Sequence, residues 1–201
     1  MKIYISLISV VLIFTKTIAQ TDSKLIPFED KQYKLNHHGM IVLSSWGGAN
    51  LVSGAIGYGI STNFEDQQFH LMNAAWGAVN LGIALPSLFN KQKRAASLFD
   101  LQKKQTTFEK LFLANALLDV VYISGGAYLT QVSKNQTDIK TNQRLNAYGN
   151  SVMIQGAGLL IFDTFMTILH NRNRKRNLDP LLKNATFTFT GNSVRLGYNF
   201  N

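Results

Sequence analysis

The sequence predicts an all-α membrane protein: a four-helix transmembrane bundle, preceded by a signal peptide and followed by a short C-terminal β-hairpin. Three observations carry this reading. Four apolar runs of spanning length recur along 201 residues. Charged residues make up only 15% of the chain, against about 25% in an average soluble domain. After residue 185 the pattern changes to alternation of apolar and polar residues, the period of a strand. Twenty Lys and Arg against eleven Asp and Glu leave a net charge of +9. The absence of Cys excludes disulfides, thiolate metal sites and a cysteine nucleophile. Abundant apolar residues, gathered into long runs, argue against disorder.

Residues 1–19 read as a secretory signal. Lys2 is a minimal charged start, Ile3 to Thr15 form an apolar stretch of 13 residues, and Thr17-Ile18-Ala19 place small residues before a cut at Gln20. Lys16 sits awkwardly between stretch and cut, and the competing reading is an uncleaved anchor of 17 residues, the lower limit for spanning. Loss of Lys2 and Lys16 would leave +7. Residues 20–39 then form a polar lead-in.

The four runs are Met40–Ile60, Leu71–Phe89, Leu111–Leu129 and Ser151–Leu169, each 19 to 21 residues long. About 20 residues at 1.5 Å rise cross about 30 Å of hydrocarbon. The first two contain no charge and the last two one Asp each. The alternative is a soluble bundle of unusually apolar helices, because Gly, Ser and Asn hold the mean hydropathy to +0.01. Between the runs lie a short polar turn (61–70), a basic helical link (90–110) and a polar link (131–150). The basic stretch from His170 to Arg176, before Pro180, fits attraction to anionic lipid. Without interleaved aromatics or a recognition fold it does not indicate nucleic acid.

The first two runs repeat each other. Trp46-Gly47-Gly48-Ala49-Asn50-Leu51 aligns without gaps on Trp76-Gly77-Ala78-Val79-Asn80-Leu81. Short-linked helices are antiparallel neighbours, so Trp46, Gly47, Trp76 and Gly77 are expected to pack them together. Small residues at four-residue spacing (Ser45, Ala49, Ser53, Gly57; Ala74, Ala78, Gly82) let backbones approach in lipid. With His37-His38-Gly39 before the first run and an Asp in each of the last two, the repeat resembles uncharacterised small four-helix membrane proteins of the Bacteroidota type. That resemblance implies an exported four-helix architecture and no assigned activity.

The centres of the first two runs are Asn50 and Asn80; Asp119 lies one residue, and Asp163 three, from the centres of the other two. Polar groups at that depth must face inward and find partners, since an isolated Asp costs about 2.5–3.5 kcal/mol at a helix centre. Asn115, Asp119 and Tyr122 share one face of the third helix; Gln155, Leu159, Asp163, Thr167 and His170 share one face of the fourth. Three roles follow: interhelical hydrogen-bond glue, a shared proton or hard cation held by the acids with the carboxamides, or catalysis.

The remaining features point away from enzymes and cofactors. His37, His38 and His170 fall on one membrane side and His70 on the other, too scattered for a metal motif. Trp46 and Trp76 sit inside their runs, as packing residues rather than belt anchors. Pro86 marks a kink or stop. No nucleophile elbow or glycine phosphate loop is present. In the tail, a Gly191-Asn192 turn would pair Phe189 with Val194, Phe187 with Leu196 and Ala185 with Tyr198. Orientation is contested: the segments that a cleaved signal would place outside carry fourteen Lys and Arg, and the opposite side three, against the positive-inside rule. The expected function is a structural or assembly subunit of the cell membrane, contacting lipid and another membrane protein or a second copy of itself. A proton- or cation-linked transport element using Asp119 and Asp163 is the alternative, and a membrane hydrolase the third reading.

Overall fold

The computed structural model describes the backbone at residues 3–90, 94–95, 97–183, 185–190 and 193–198, and side chains at 25–90, 94–95, 97–180 and 182–183. The expected signal segment 1–19 and its cut fall outside the described side chains. Helix α1 runs Ile3–Ile60, α2 Phe64–Phe89, α3 Leu98–Ser133 and α4 Ile139–Asn173. A single π-helical turn, Arg174–Leu178, leads into the short α5, Asp179–Lys183. Four of these helices are long and apolar enough to cross a membrane.

Each long helix exceeds its apolar run. The polar lead-in 20–39 belongs to α1, which continues through Pro27, and the links 61–70 and 131–150 shrink to the residues between helices. Local chemistry sets the starts. Asn63 accepts from the Glu65 N–H, Ser97 from Asp100 and Asp138 from Thr141, each cap with extended backbone. α2 passes Pro86 and ends three residues later, so Pro86 acts close to a stop. Pro180 brings no N–H, and the turn before it widens: the Asp179 N–H bonds five residues back to the Arg174 carbonyl.

The helices form two antiparallel hairpins, α1 with α2 and α3 with α4, joined mainly where α2 packs on α4. Backbone contact through glycine closes each hairpin. A Cβ on Gly126 would lie 2.6 Å from the Gly149 carbonyl, and one on Gly47 3.0 Å from that of Gly77. On α1 the contact row is Gly47, Gly54 and Gly57. Of the expected small residues, Gly57 and Ala74 lie in the contact, whereas Ser45, Ala49, Ser53, Ala78 and Gly82 are exposed. Glycines at i, i+7 and i+10 keep to one side of a helix as well as a four-residue ladder does, with closer approach.

The interior is as polar as it is apolar. Among the described residues twelve polar or charged side chains are buried against eleven apolar ones, while Val121, Ile161 and Phe165 are each more than 60% exposed. A water-surrounded bundle sorts its residues the other way, so the distribution argues against the soluble alternative. Beyond the bundle, α1, α3 and the π turn meet around Phe28, Leu101 and Leu178, a small apolar cluster of their own. Ion pairs surround that end. Arg94 lies 2.7 Å from Asp30 and 3.3 Å from Glu29, and Arg174 2.9 Å from Glu109. Hydrogen bonds that it donates to Asp30 and Glu29 hold the Arg94 guanidinium above its ordinary pKa. At the tail, strands β1 (Ala185–Thr190) and β2 (Ser193–Tyr198) pair antiparallel, with Phe189 opposite Val194 and Ala185 opposite Tyr198.

Candidate functional site

Two polar centres occupy the middle of the bundle, and they divide the residues that the sequence placed together. The first is closed. Gln155 of α4, fully buried, donates to Asn50 Oδ1 at 2.6 Å and Asn73 Oδ1 at 3.0 Å, and its own Oε1 accepts the Trp46 indole N–H at 3.0 Å. Ser151 adds a bond to Asn73 at 2.8 Å, and Asn50 returns its amide to the Trp46 carbonyl at 2.8 Å. The Trp46 ring lies on Gly158, where a Cβ would come within 2.7 Å. These groups satisfy one another and tie α1, α2 and α4 together, so Asn50 belongs to packing.

The second centre is open. Asp119 of α3 and Asp163 of α4 bring their carboxyls together, with Asn115 beside Asp163. Asn80 of α2 is buried nearby on the same cavity wall. The cavity has a volume of about 710 Å³. Its deep end is formed by Trp76, Asn80, Asp119, Tyr122 and Asp163, its walls by apolar side chains such as Leu43, Phe112 and Phe162, and its mouth by Tyr33, Asn36, His37, Asn90 and Lys104. Trp76 and Tyr122 meet edge to face at 5.1 Å and bridge α2 to α3 at the bottom. Above that bridge α2 and α3 barely touch, which opens the space.

Several polar atoms in this centre have no protein partner: Trp76 Nε1, Asn80 Nδ2, Asp119 Oδ2 and Asp163 Oδ1. Two are donors and two are acceptors. Such atoms are costly at this depth, so a binding function at this centre gives them a physical reason.

Of the expected supporting residues, Asn115 and Tyr122 reach the cavity and Gln155 the closed network. Thr167 does neither, since its hydroxyl bonds to the Asp163 carbonyl one turn back. His170 is buried between Phe108 and Phe112, with Nε2 3.1 Å from Asn36 Oδ1. His70 packs on Gly57. Among the described residues no group of three His, Cys, Asp or Glu is placed to hold a metal ion. Sequence reasoning missed Asn73 and Ser151; Asn73 was findable, being one residue of the 73, 77, 80, 84 face that α2 buries. It also missed the cavity mouth, which lies outside the apolar runs.

Fold and site define a class: an all-α protein with four helices of membrane-spanning length around an acid-bearing cavity. Residues 42–164 match a family of unknown function, DUF6992, and the chain belongs to that family. The matched stretch begins just before the first Trp-Gly motif and ends just after Asp163, so it takes in both polar centres. No curated protein and no solved structure shows significant similarity to the chain.

Proposed function

We propose that the protein is a non-enzymatic component of the cell membrane that binds and exchanges a proton or cation at Asp119 and Asp163. The observation that carries this reading is the contact of the two buried carboxyls, from neighbouring helices, on the wall of a cavity. Structural glue is already supplied by the Gln155 network, whose bonds are complete. The acid pair leaves one oxygen on each residue unused, an arrangement suited to a transient occupant.

The test uses purified protein in lipid nanodiscs. Melting temperature is followed against pH at fixed sodium and against sodium at fixed pH, for wild type and the double variant Asp119→Asn, Asp163→Asn. The reading expects a wild-type dependence on pH, sodium or both that the folded double variant lacks. Identical dependence in the two proteins overturns it.

An assembly role is the second reading. The Trp-Gly repeat is spent on contacts within the chain, so it rests on the tail hairpin, whose strands pair only with each other among the described residues. Unpaired strand edges can extend a partner's sheet.

A further inference from the structure

We infer that the occupant of the cavity is a single-chain amphiphile with an N–H-bearing ammonium head and a neighbouring hydroxyl, entering from the lipid between α2 and α3. The inference rests on the proposed cation reading and names the chemical class that the site takes.

The route comes from the seam. Val79 and Ile83 on α2, and Leu111 and Leu118 on α3, line the cavity and are about half exposed, on two helices that barely touch. Exposed wall residues on two helices that do not close on each other mark an opening, and in a membrane-spanning bundle that opening would face hydrocarbon. An alkyl chain lies in such a slot without leaving an apolar environment. A volume of about 710 Å³ is far more than an inorganic ion needs and falls in the range of organic ligand pockets.

The head group follows from the unpartnered atoms at the deep end. Asp119 Oδ2 and Asp163 Oδ1 accept, and both residues are at least 96% buried. No Lys, Arg or His lines that end of the cavity; Lys104 lines the mouth, 3.9 Å from Glu29. A cation with at least two N–H donors therefore meets both carboxyls. Asn80 Nδ2 and Trp76 Nε1 are donors, which an ammonium cannot satisfy. They need an oxygen beside the nitrogen, and a hydroxyl provides it.

The experiment titrates N-dodecylethanolamine into the nanodisc-embedded protein, reading tryptophan fluorescence and melting temperature. Dodecanol, which lacks the charge, and dodecyltrimethylammonium, which lacks N–H donors, are run in parallel. Saturable binding of N-dodecylethanolamine is expected, weakened about tenfold or more for both controls and for the Asp119→Asn, Asp163→Asn variant, as befits loss of charge-assisted hydrogen bonds. Ile83→Trp, which fills the seam and leaves the acids in place, is expected to weaken amphiphile binding and to keep the wild-type pH or sodium response. Equal binding of dodecanol, or unchanged binding by the double variant, overturns the inference. A wild-type pH or sodium response with no amine binding overturns it too, and leaves the proton or cation reading standing. Amine binding without any pH or sodium response removes that reading, and this inference with it.

Discussion

Replacing Gln155 by Leu removes the hub of the closed network and is the sharpest test of how the bundle is held together. Leu matches Gln roughly in volume, so the change isolates hydrogen bonding from cavity formation. Three interhelical bonds disappear, to Trp46, Asn50 and Asn73, with lengths of 2.6 to 3.0 Å. Interhelical bonds in membranes average about 0.6 kcal/mol and reach about 1.7 kcal/mol each. Asn73 keeps Ser151, but Asn50 Oδ1 and the Trp46 N–H lose their interhelical partner. The expected loss is about 2–4 kcal/mol. Asp119→Asn preserves shape and polar contact at the other centre and is expected to stay within about 0.5 kcal/mol of wild type. Equilibrium unfolding by sodium dodecyl sulfate in mixed micelles, followed by tryptophan fluorescence, measures both. Performed in a Trp76→Phe background, it reports Trp46 alone, whose emission changes directly when its N–H bond is lost. A Gln155→Leu protein as stable as wild type would refute the division of labour between the two centres. So would an Asp119→Asn protein that loses more than Gln155→Leu.

Two further outcomes follow from the same geometry. Gly126→Val forces a side chain against the Gly149 carbonyl and Met153, so it should destabilise by about 1–3 kcal/mol in the unfolding assay, whereas Gly125→Ala, which meets nothing within 4 Å, should be neutral or gain up to about 1 kcal/mol. The Asp138 carboxyl is held below its ordinary pKa by hydrogen bonds from the Thr141 hydroxyl and backbone N–H. A depressed folded pKa contributes stability above the unfolded value of about 4 and loses it as pH falls through the folded value. Amide exchange at Thr141 and Asn142 should accordingly quicken relative to the unfolded-chain rate below about pH 4. Asp138→Asn should keep the cap and abolish this pH dependence, and persistence of the dependence would refute the assignment.

The spans were legible because hydrocarbon thickness fixes the length of an apolar run, and residues 40–60, 71–89, 111–129 and 151–169 each lie within one helix. Helix ends were not, because the flanking turns are polar yet held by tertiary contacts: Gln32 to Gln105 at 2.7 Å, and Gln105 to the His170 carbonyl at 3.0 Å. These partners lie more than 60 residues apart, and no local pattern announces them. The depth of the four midplane residues could be computed from run centres. Their grouping could not, since it depends on rotation about each helix axis. That rotation is set by the glycine rows: Gly47, Gly77 and Gly57 pack as expected from sequence, while Gly54 takes the place expected of Ser45, Ala49 and Ser53.

The repeat explains why one polar centre closed and the other stayed open. Trp46 and Asn50 correspond to Trp76 and Asn80 in sequence, but a single Gln155 serves the bundle, and it faces the first copy. The second copy presents the same two donors beside Asp119 of α3 and Asp163 of α4, where Trp76 Nε1 and Asn80 Nδ2 find no partner. Packing reinforces the asymmetry. Glycine opposes glycine in the α1–α2 and α3–α4 contacts, whereas the α2–α3 seam carries Val79, Ile83, Leu111 and Leu118. Above the Trp76–Tyr122 bridge those side chains line the cavity, along a face where Asp119 and Asp163, among the described residues, have oxygens to spare. Of the two Trp-Gly copies, the one on α1 thus serves cohesion and the one on α2 lines a cavity.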